Sequence, residues 1–176
     1  TAISAVVVHD LMSETRPALG HTLEASLITL VGGYLTAGGS NAINMWYDKD
    51  IDPMMKRTSS RPVPLGEVKS EHALLFGISI SLLGVIWFTL MAGQIAAFWA
   101  TFSILFYVFV YTIWLKRRTV QNIVIGGLAG STPPLIGWFV AMGPRDLDLN
   151  SMNGFLVSIT DTGSLVPFYM LSLIHI

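Results

Sequence analysis

From Ala73 to Leu115 the chain reads ALLFGISISLLGVIWFTLMAGQIAAFWATFSILFYVFVYTIWL, without one charged side chain. A helix needs about 20 mostly apolar residues to cross a bilayer. This stretch is about twice that long, and Gly93–Gln94 divides it into two spans, Ala73–Ala92 and Ile95–Leu115. Two more uncharged segments, Ala25–Ile43 and Ile123–Met142, pass the same test. Thr1–Val8 reads as the remnant of an earlier span, and the stretch from Leu165 to Met170 as the start of a later one. A soluble fold would need four buried core helices in succession, with almost no amphipathic partner to cover them. The expectation is an all-α polytopic transmembrane bundle.

Composition agrees with that expectation. Of the 176 residues, 52% are hydrophobic and 12% charged, and the mean hydropathy is +0.62. An ordinary soluble domain carries about 25% charged residues. There is no cysteine, which excludes disulfides and thiolate metal sites. The net charge of −1 matters less than its distribution, and no nucleic-acid partner is expected. The chain opens at Thr1 inside an apolar run with no basic segment before it, so it reads as a piece truncated at both ends, not as a signal peptide. Its last six residues, LSLIHI (Leu171–Ile176), resemble a translated sequencing adapter, which places the native end near Met170 and leaves His175 without functional weight.

The cations orient the bundle. Lys49, Lys56, Arg57, Arg61 and Lys69 lie between the first and second full spans, and Lys116, Arg117 and Arg118 between the third and fourth. The opposite side holds only Arg16 and Arg145. By the positive-inside rule both basic loops are cytoplasmic. The far loops, Gly93–Gln94 and Gly143–Ser164, hold little that does chemistry. In the fourth span, Pro133 and Pro134 break helical hydrogen bonding and predict a bend beside a cavity. Gly126 and Gly130 have the spacing of a close helix contact and are read as packing residues.

Charge of both signs concentrates in NAINMWYDKDIDPMMKRTSSRPVP (Asn41–Pro64). Asn44, Asp48 and Asp52 recur every four residues, so on a helix they share one face, spread over about 12 Å. Asp50 is out of register, and Pro53 ends or kinks the helix. Carboxylates at this spacing, without histidine or cysteine, suit a hard cation. Mg²⁺ takes one or two carboxylates and completes its shell with water and substrate phosphates. Lys56, Arg57 and Arg61 follow as phosphate donors, the arginines in two-pronged fashion. Acidic groups, Mg²⁺ and arginines together make a diphosphate site. A solvated loop obeying the positive-inside rule explains the cations, but not the aspartates set against them at helical spacing.

These residues also carry a resemblance. NMWYDKDIDPMMKRTSSRP is similar to the first aspartate-rich motif of the UbiA superfamily of intramembrane prenyltransferases. YTIWLKRRTVQNIVIGGLAGSTPPLIGW (Tyr111–Trp138) closely resembles the corresponding stretch of the protohaem IX farnesyltransferases, or haem O synthases. The resemblance runs from about the start of the chain to Met170 and is weakest over Gly143–Thr162. It implies a membrane prenyltransferase that moves the farnesyl group of farnesyl diphosphate onto a vinyl group of protohaem IX, giving haem O and diphosphate, in a bacterial cytoplasmic membrane. It places Asn44, Asp48 and Asp52 at the Mg²⁺–diphosphate positions. It places Arg57, Arg61 and Lys116, with Lys56, Arg117 and Arg118, near the diphosphate.

The resemblance implies no catalytic base. Tyr111 is read as part of an interfacial tyrosine belt, with a cavity-facing position as the alternative, and His9, His21 and His72 as loop or interface histidines. Members of the family continue into a histidine-containing aromatic segment and a second acidic motif that this chain lacks, so the chain alone is expected to be inactive. Other acceptors, an aromatic acid or a chlorin, stay open, as does a non-catalytic transporter fragment. A soluble isoprenyl diphosphate synthase is excluded by the spans.

Overall fold

Helices account for every long element. The structure is a computed structural model that describes residues 1–13, 18–118 and 122–160; within 122–129 only the side chain of Gly126 is described. Arg16 and the last predicted span lie outside the described residues. The helices are α1 (Ala2–Met12), α2 (Leu19–Tyr47), α3 (Ser70–Ala92), α4 (Gln94–Leu105), α5 (Asn122–Ala141) and α6 (Met152–Ile159). A 3₁₀ turn, Asp52–Met54, follows α2, and a π-helix, Phe106–Leu115, continues α4. The four predicted spans coincide with α2, α3, α4 plus its π extension, and α5. Helix α6 lies in the stretch taken from sequence as a loop. Its Ser151 cap accepts a hydrogen bond from the Gly154 N–H at 2.9 Å, and Trp99 Nε1 donates to the Ile159 carbonyl at 3.2 Å.

Length and hydropathy qualify Ser70–Ala92 and Gln94–Leu115 as membrane spans. Only 22% of the most apolar stretch of α3 is buried. A core helix of a soluble protein would be mostly covered, whereas Leu75, Leu82, Ile86 and Leu90 point outwards. Bilayer hydrocarbon is the solvent that suits such a surface. Helix α2 is more polar because one face carries Thr29, Thr36, Ser40 and Asn44, all buried. The hydroxyls donate to carbonyls of their own helix: Thr29 to Ala25 at 2.7 Å, Thr36 to Gly32 at 2.9 Å and Ser40 to Thr36 at 2.8 Å. Bonded this way, they sit inside an apolar bundle without leaving an unsatisfied donor.

Small residues set the α2–α3 distance. A Cβ on Gly39 would lie 2.7 Å from the Gly77 carbonyl oxygen, and one on Gly77 would lie 2.9 Å from the Gly39 carbonyl oxygen. Gly84 meets Thr36 in the same manner. Backbones this close gain dispersion contacts, which drive helix association where no hydrophobic effect operates. The turn between α3 and α4 is Gly93, at φ +86°, and a Cβ there would come 2.4 Å from the Arg145 nitrogen. The segment after α5 therefore packs directly onto that turn.

The bundle interior is in two parts. Val6, Ile28, Phe88, Ala96, Leu135 and Phe139 belong to one apolar cluster towards the Gly93 end. Nearby, buried Asp10 accepts from Thr22 Oγ1 at 2.5 Å and holds His9 Nδ1 at 3.1 Å and His21 Nδ1 at 3.2 Å. Of the two expectations, loop or interface, His9 and His21 meet the second as helix residues tying α1 to α2, and His72 lies in the first turn of α3.

Gly77→Ala is expected to lower stability by about 1–3 kcal/mol, because its Cβ meets backbone that cannot retreat. Gly38→Ala, where a Cβ meets open space, stays within about 0.5 kcal/mol of the parent. Thermal denaturation in detergent compares the two; equal losses would show that close approach does not hold α2 to α3.

Candidate active site

The aspartate-rich stretch folds more tightly than a continuous helix. Helix α2 ends with Asp48 as its cap (φ −91°, ψ 12°), short of the end at Pro53 expected from sequence. The Asp48 N–H still bonds to the Asn44 carbonyl at 2.9 Å, and the Asp52 N–H to the Asp48 carbonyl at 2.8 Å. One α-turn thus preserves the four-residue step after the helix proper has stopped. Pro53 follows Asp52 in the first positions of the 3₁₀ turn, where its missing N–H costs nothing. Thr58 Oγ1 closes the segment by donating to the Asp52 carbonyl at 3.1 Å.

Asp48 and Asp52 are both fully buried. Burying a carboxylate is costly unless a cation compensates it. Lys116 Nζ bonds to Asp48 Oδ2, and Arg61 Nη1 to Asp52 Oδ2 at 2.8 Å. Asn44, itself buried, donates from Nδ2 to Asp48 Oδ2 at 2.9 Å and to Thr112 Oγ1 at 3.1 Å. Its Oδ1 accepts from Arg61 Nη1 at 3.4 Å. Asn44, Asp48, Asp52, Arg61 and Lys116 therefore form one connected cluster across α2, the 48–69 loop and the end of the π-helix.

The π-helix is why Lys116 arrives there. Its N–H bonds to the Tyr111 carbonyl at 2.9 Å, and Thr112 Oγ1 to the Tyr107 carbonyl at 2.9 Å, both five residues back. Such turns are rare and concentrate at functional sites. Tyr107 and Tyr111 stack with centroids 5.3 Å apart and both line a cavity beside the cluster. Tyr111 is thus a cavity residue, which corrects its assignment to an interfacial belt. Gly126 makes room for it, since a Cβ there would lie 2.6 Å from the ring. Gly130, expected to pack against a helix, instead faces open space on the cavity wall. Pro133 lines the cavity as well, although α5 runs on as helix through both prolines.

The cavity has a volume of about 860 Å³ and a polarity gradient. Asn41, Asn44, Arg57, Arg61 and Lys116 stand at one end, and Leu30, Phe88, Ile104 and Ile136 along the rest, among the hydroxyls of Thr29, Thr36, Ser40 and Ser103. Thr36 and Ser40 extend the four-residue register backwards from Asn44 along the wall. Lys56 and Arg118 are exposed and are not among the lining residues. Arg117 also stands outside the lining. It grips Asp50 at 2.7 and 2.9 Å, donates to the Tyr47 carbonyl at 2.9 Å and lies over the Tyr47 ring. Its nearest approach to the cluster is 3.8 Å, to Asp48 Oδ1. The paired Arg117 side chain holds the Asp50 carboxyl below its usual range, and Asp50 raises Arg117 in return. The pair is therefore intact at neutral pH and is lost only as pH falls through the lowered carboxylate value. It fastens both basic loops together at one end of the bundle.

One oxygen of each carboxylate, Asp48 Oδ1 and Asp52 Oδ1, is buried and accepts no hydrogen bond among the described residues. Two such oxygens and the Asn44 carboxamide are donors of the kind a hard cation takes, but of these three residues only Asn44 is among those lining the cavity. Among the described residues no three His, Cys, Asp or Glu side chains form a self-sufficient metal site.

Residues 15–173 match the model of the UbiA prenyltransferase family. The chain belongs to the UbiA prenyltransferase family. Its relatives in the family include a protoheme IX farnesyltransferase of Pelagibacter ubique, 45% identical over 93% of this chain and 51% of the relative. The enzymes of the same name from Bartonella henselae and Paracoccus denitrificans are 51% and 55% identical, over 70% and 68% of this chain and 38% of each relative. The chain thus spans about half or less of the length of these relatives. No solved structure matches at a significant level. Family membership makes this a membrane protein and an all-helical one.

Arg61→Met leaves Asp52 buried without its cation and is expected to cost about 3 kcal/mol or more. Adding Asp52→Asn to Arg61→Met should recover much of the loss. Thermal unfolding of the single and double variants measures the coupling; simple additivity would mean that the pair does not hold the loop.

Proposed function

We propose that the chain is the part of a haem-modifying prenyltransferase that receives farnesyl diphosphate, and that the whole enzyme transfers the farnesyl group to a vinyl group of protohaem IX. The observation that carries this proposal is the cavity itself: an anion-binding end of Arg57, Arg61 and Lys116 that opens into apolar walls. A diphosphate joined to a prenyl chain has the same division of polarity. The names of the relatives supply the acceptor.

Asn44, Asp48 and Asp52 are the residues that would hold Mg²⁺ with the diphosphate; the ion, when bound, neutralises phosphate charge. Arg61 and Lys116 then turn from the aspartates towards the phosphate oxygens. They stabilise charge that grows on the leaving group as the allylic C–O bond breaks, and in a site screened from water that stabilisation is commonly the largest catalytic contribution. The bonding pair leaves on the diphosphate. The vinyl group supplies the electrons of the new carbon–carbon bond; water then adds to the cation left on the haem side chain, forming a C–O bond and passing its proton to the released diphosphate, which gives haem O. Tyr107 and Tyr111 wall off this end of the cavity with ring faces, the surface an aromatic side chain offers to a cation.

We place the protein in a bacterial inner membrane, with the 48–69 and 116–118 loops on the cytoplasmic side, where eight of the ten Lys and Arg residues stand. The cytoplasmic face is also where a water-soluble diphosphate would enter.

The test uses membranes expressing the gene at the length of its relatives, supplied with protohaem, farnesyl diphosphate and Mg²⁺. Extracted haems are separated chromatographically. Farnesylated haem is expected from the parent, with a loss of at least about 100-fold in Asp48→Asn, the scale on which removing one electrostatic contact acts. Unmodified haem from well-folded parent membranes would discard the acceptor, and aromatic acids would be tried next.

A further inference from the structure

We infer that Phe88 sets the length of the prenyl chain that the cavity accepts. The inference rests on the prenyl-transfer function proposed above. It starts from the face that α3 turns to α2, where Gly77, Ser81, Gly84 and Phe88 succeed one another at helical spacing. The first three are small and let α2 approach to backbone contact at Gly39 and Thr36. Phe88 is the first bulky residue on that face. Its ring fits only because residue 32 opposite is glycine: a Cβ there would lie 2.5 Å from Cζ and 2.6 Å from Cε2.

The position along the cavity matters as much as the size. Gly32 precedes Asn44 by twelve residues, about 18 Å along the helix. Thr29 and Leu30, the cavity-lining residues of α2 farthest from the cluster, lie within one turn of Gly32. A prenyl chain with its diphosphate at Asn44 therefore runs along α2 and meets Phe88 near its far end. The ring is 1% exposed and belongs both to the cavity wall and to the apolar cluster behind it. Ile28, Leu135 and Phe139 fill the space beyond. Phe88 is a plug between open and packed space, and removing it lengthens the open part by roughly one isoprene unit's bulk.

The closing experiment uses membranes with the protein at its relatives' length. Farnesyl and geranylgeranyl diphosphates compete at equal concentration for protohaem, and the two prenylated haems are quantified by mass. The parent should favour farnesyl. Phe88→Ala should move the product ratio towards geranylgeranyl by at least about tenfold, the discrimination that small changes of apolar volume bring. Phe88→Leu, a milder change if the alanine variant folds poorly, should move it the same way by less. Gly32→Ala, which drives the ring off its seat, should move it the opposite way, further towards farnesyl. Variants that lose total activity while keeping the parent's ratio would show that Phe88 only packs, and the inference falls while the prenyl-transfer function stands. A parent that prenylates no haem with either donor overturns both.

Discussion

Two carboxylates without solvent, inside a bundle whose surroundings are hydrocarbon, constrain everything around them. Buried carboxylates at Asp48 and Asp52 need cations beside them, and those cations come from other parts of the chain: Arg61 from the long loop and Lys116 from the end of the π-helix. Each ion pair is therefore also a tertiary contact, pinning the loop and the α4–α5 connection to the end of α2. Asn44 reinforces the same joint by bonding to Asp48 and Thr112. The exposed Arg117–Asp50 pair does so from outside. What makes the site reactive towards anions is also what closes that end of the bundle.

Much of this was legible in the sequence, for a physical reason. Lipid permits few backbone solutions, so long uncharged runs specify helices with little competition, and helices cover all four expected runs, two of them long and apolar enough to cross a membrane among the described residues. The four-residue spacing of Asn44, Asp48 and Asp52 encoded their shared face, and it survived the early end of α2 because an α-turn has the same pitch. The same register, carried backwards to Ser40 and Thr36, would have traced the cavity wall before any coordinates existed.

Other features lay beyond a sequence pattern. Tyr111 faces the cavity because residues 106–115 are wound as a π-helix, and no propensity scale distinguishes that winding from an α-helix with the same side chains. Spacing alone could not sort the cations after Asp52. Arg57 and Arg61 reach the cavity and Lys56 does not, because the loop turns repeatedly instead of continuing as helix. His9 and His21 find each other only through a buried aspartate eleven residues from His21, a three-body arrangement that neither histidine signals by itself. Helix α6 escaped notice because eight residues are too few to show a period.

The π winding has one more consequence. Because Lys116 closes onto Tyr111 five positions back, the aim of its ammonium group depends on how many residues lie between the two, not only on which. Loops gain and lose residues with little effect, and spans tolerate exchange of one apolar side chain for another. Between Phe106 and Lys116 chain length is not free to vary: one residue more or fewer turns every later side chain by most of a quarter-circle or beyond and takes Lys116 away from Asp48. In this stretch counting is part of the chemistry.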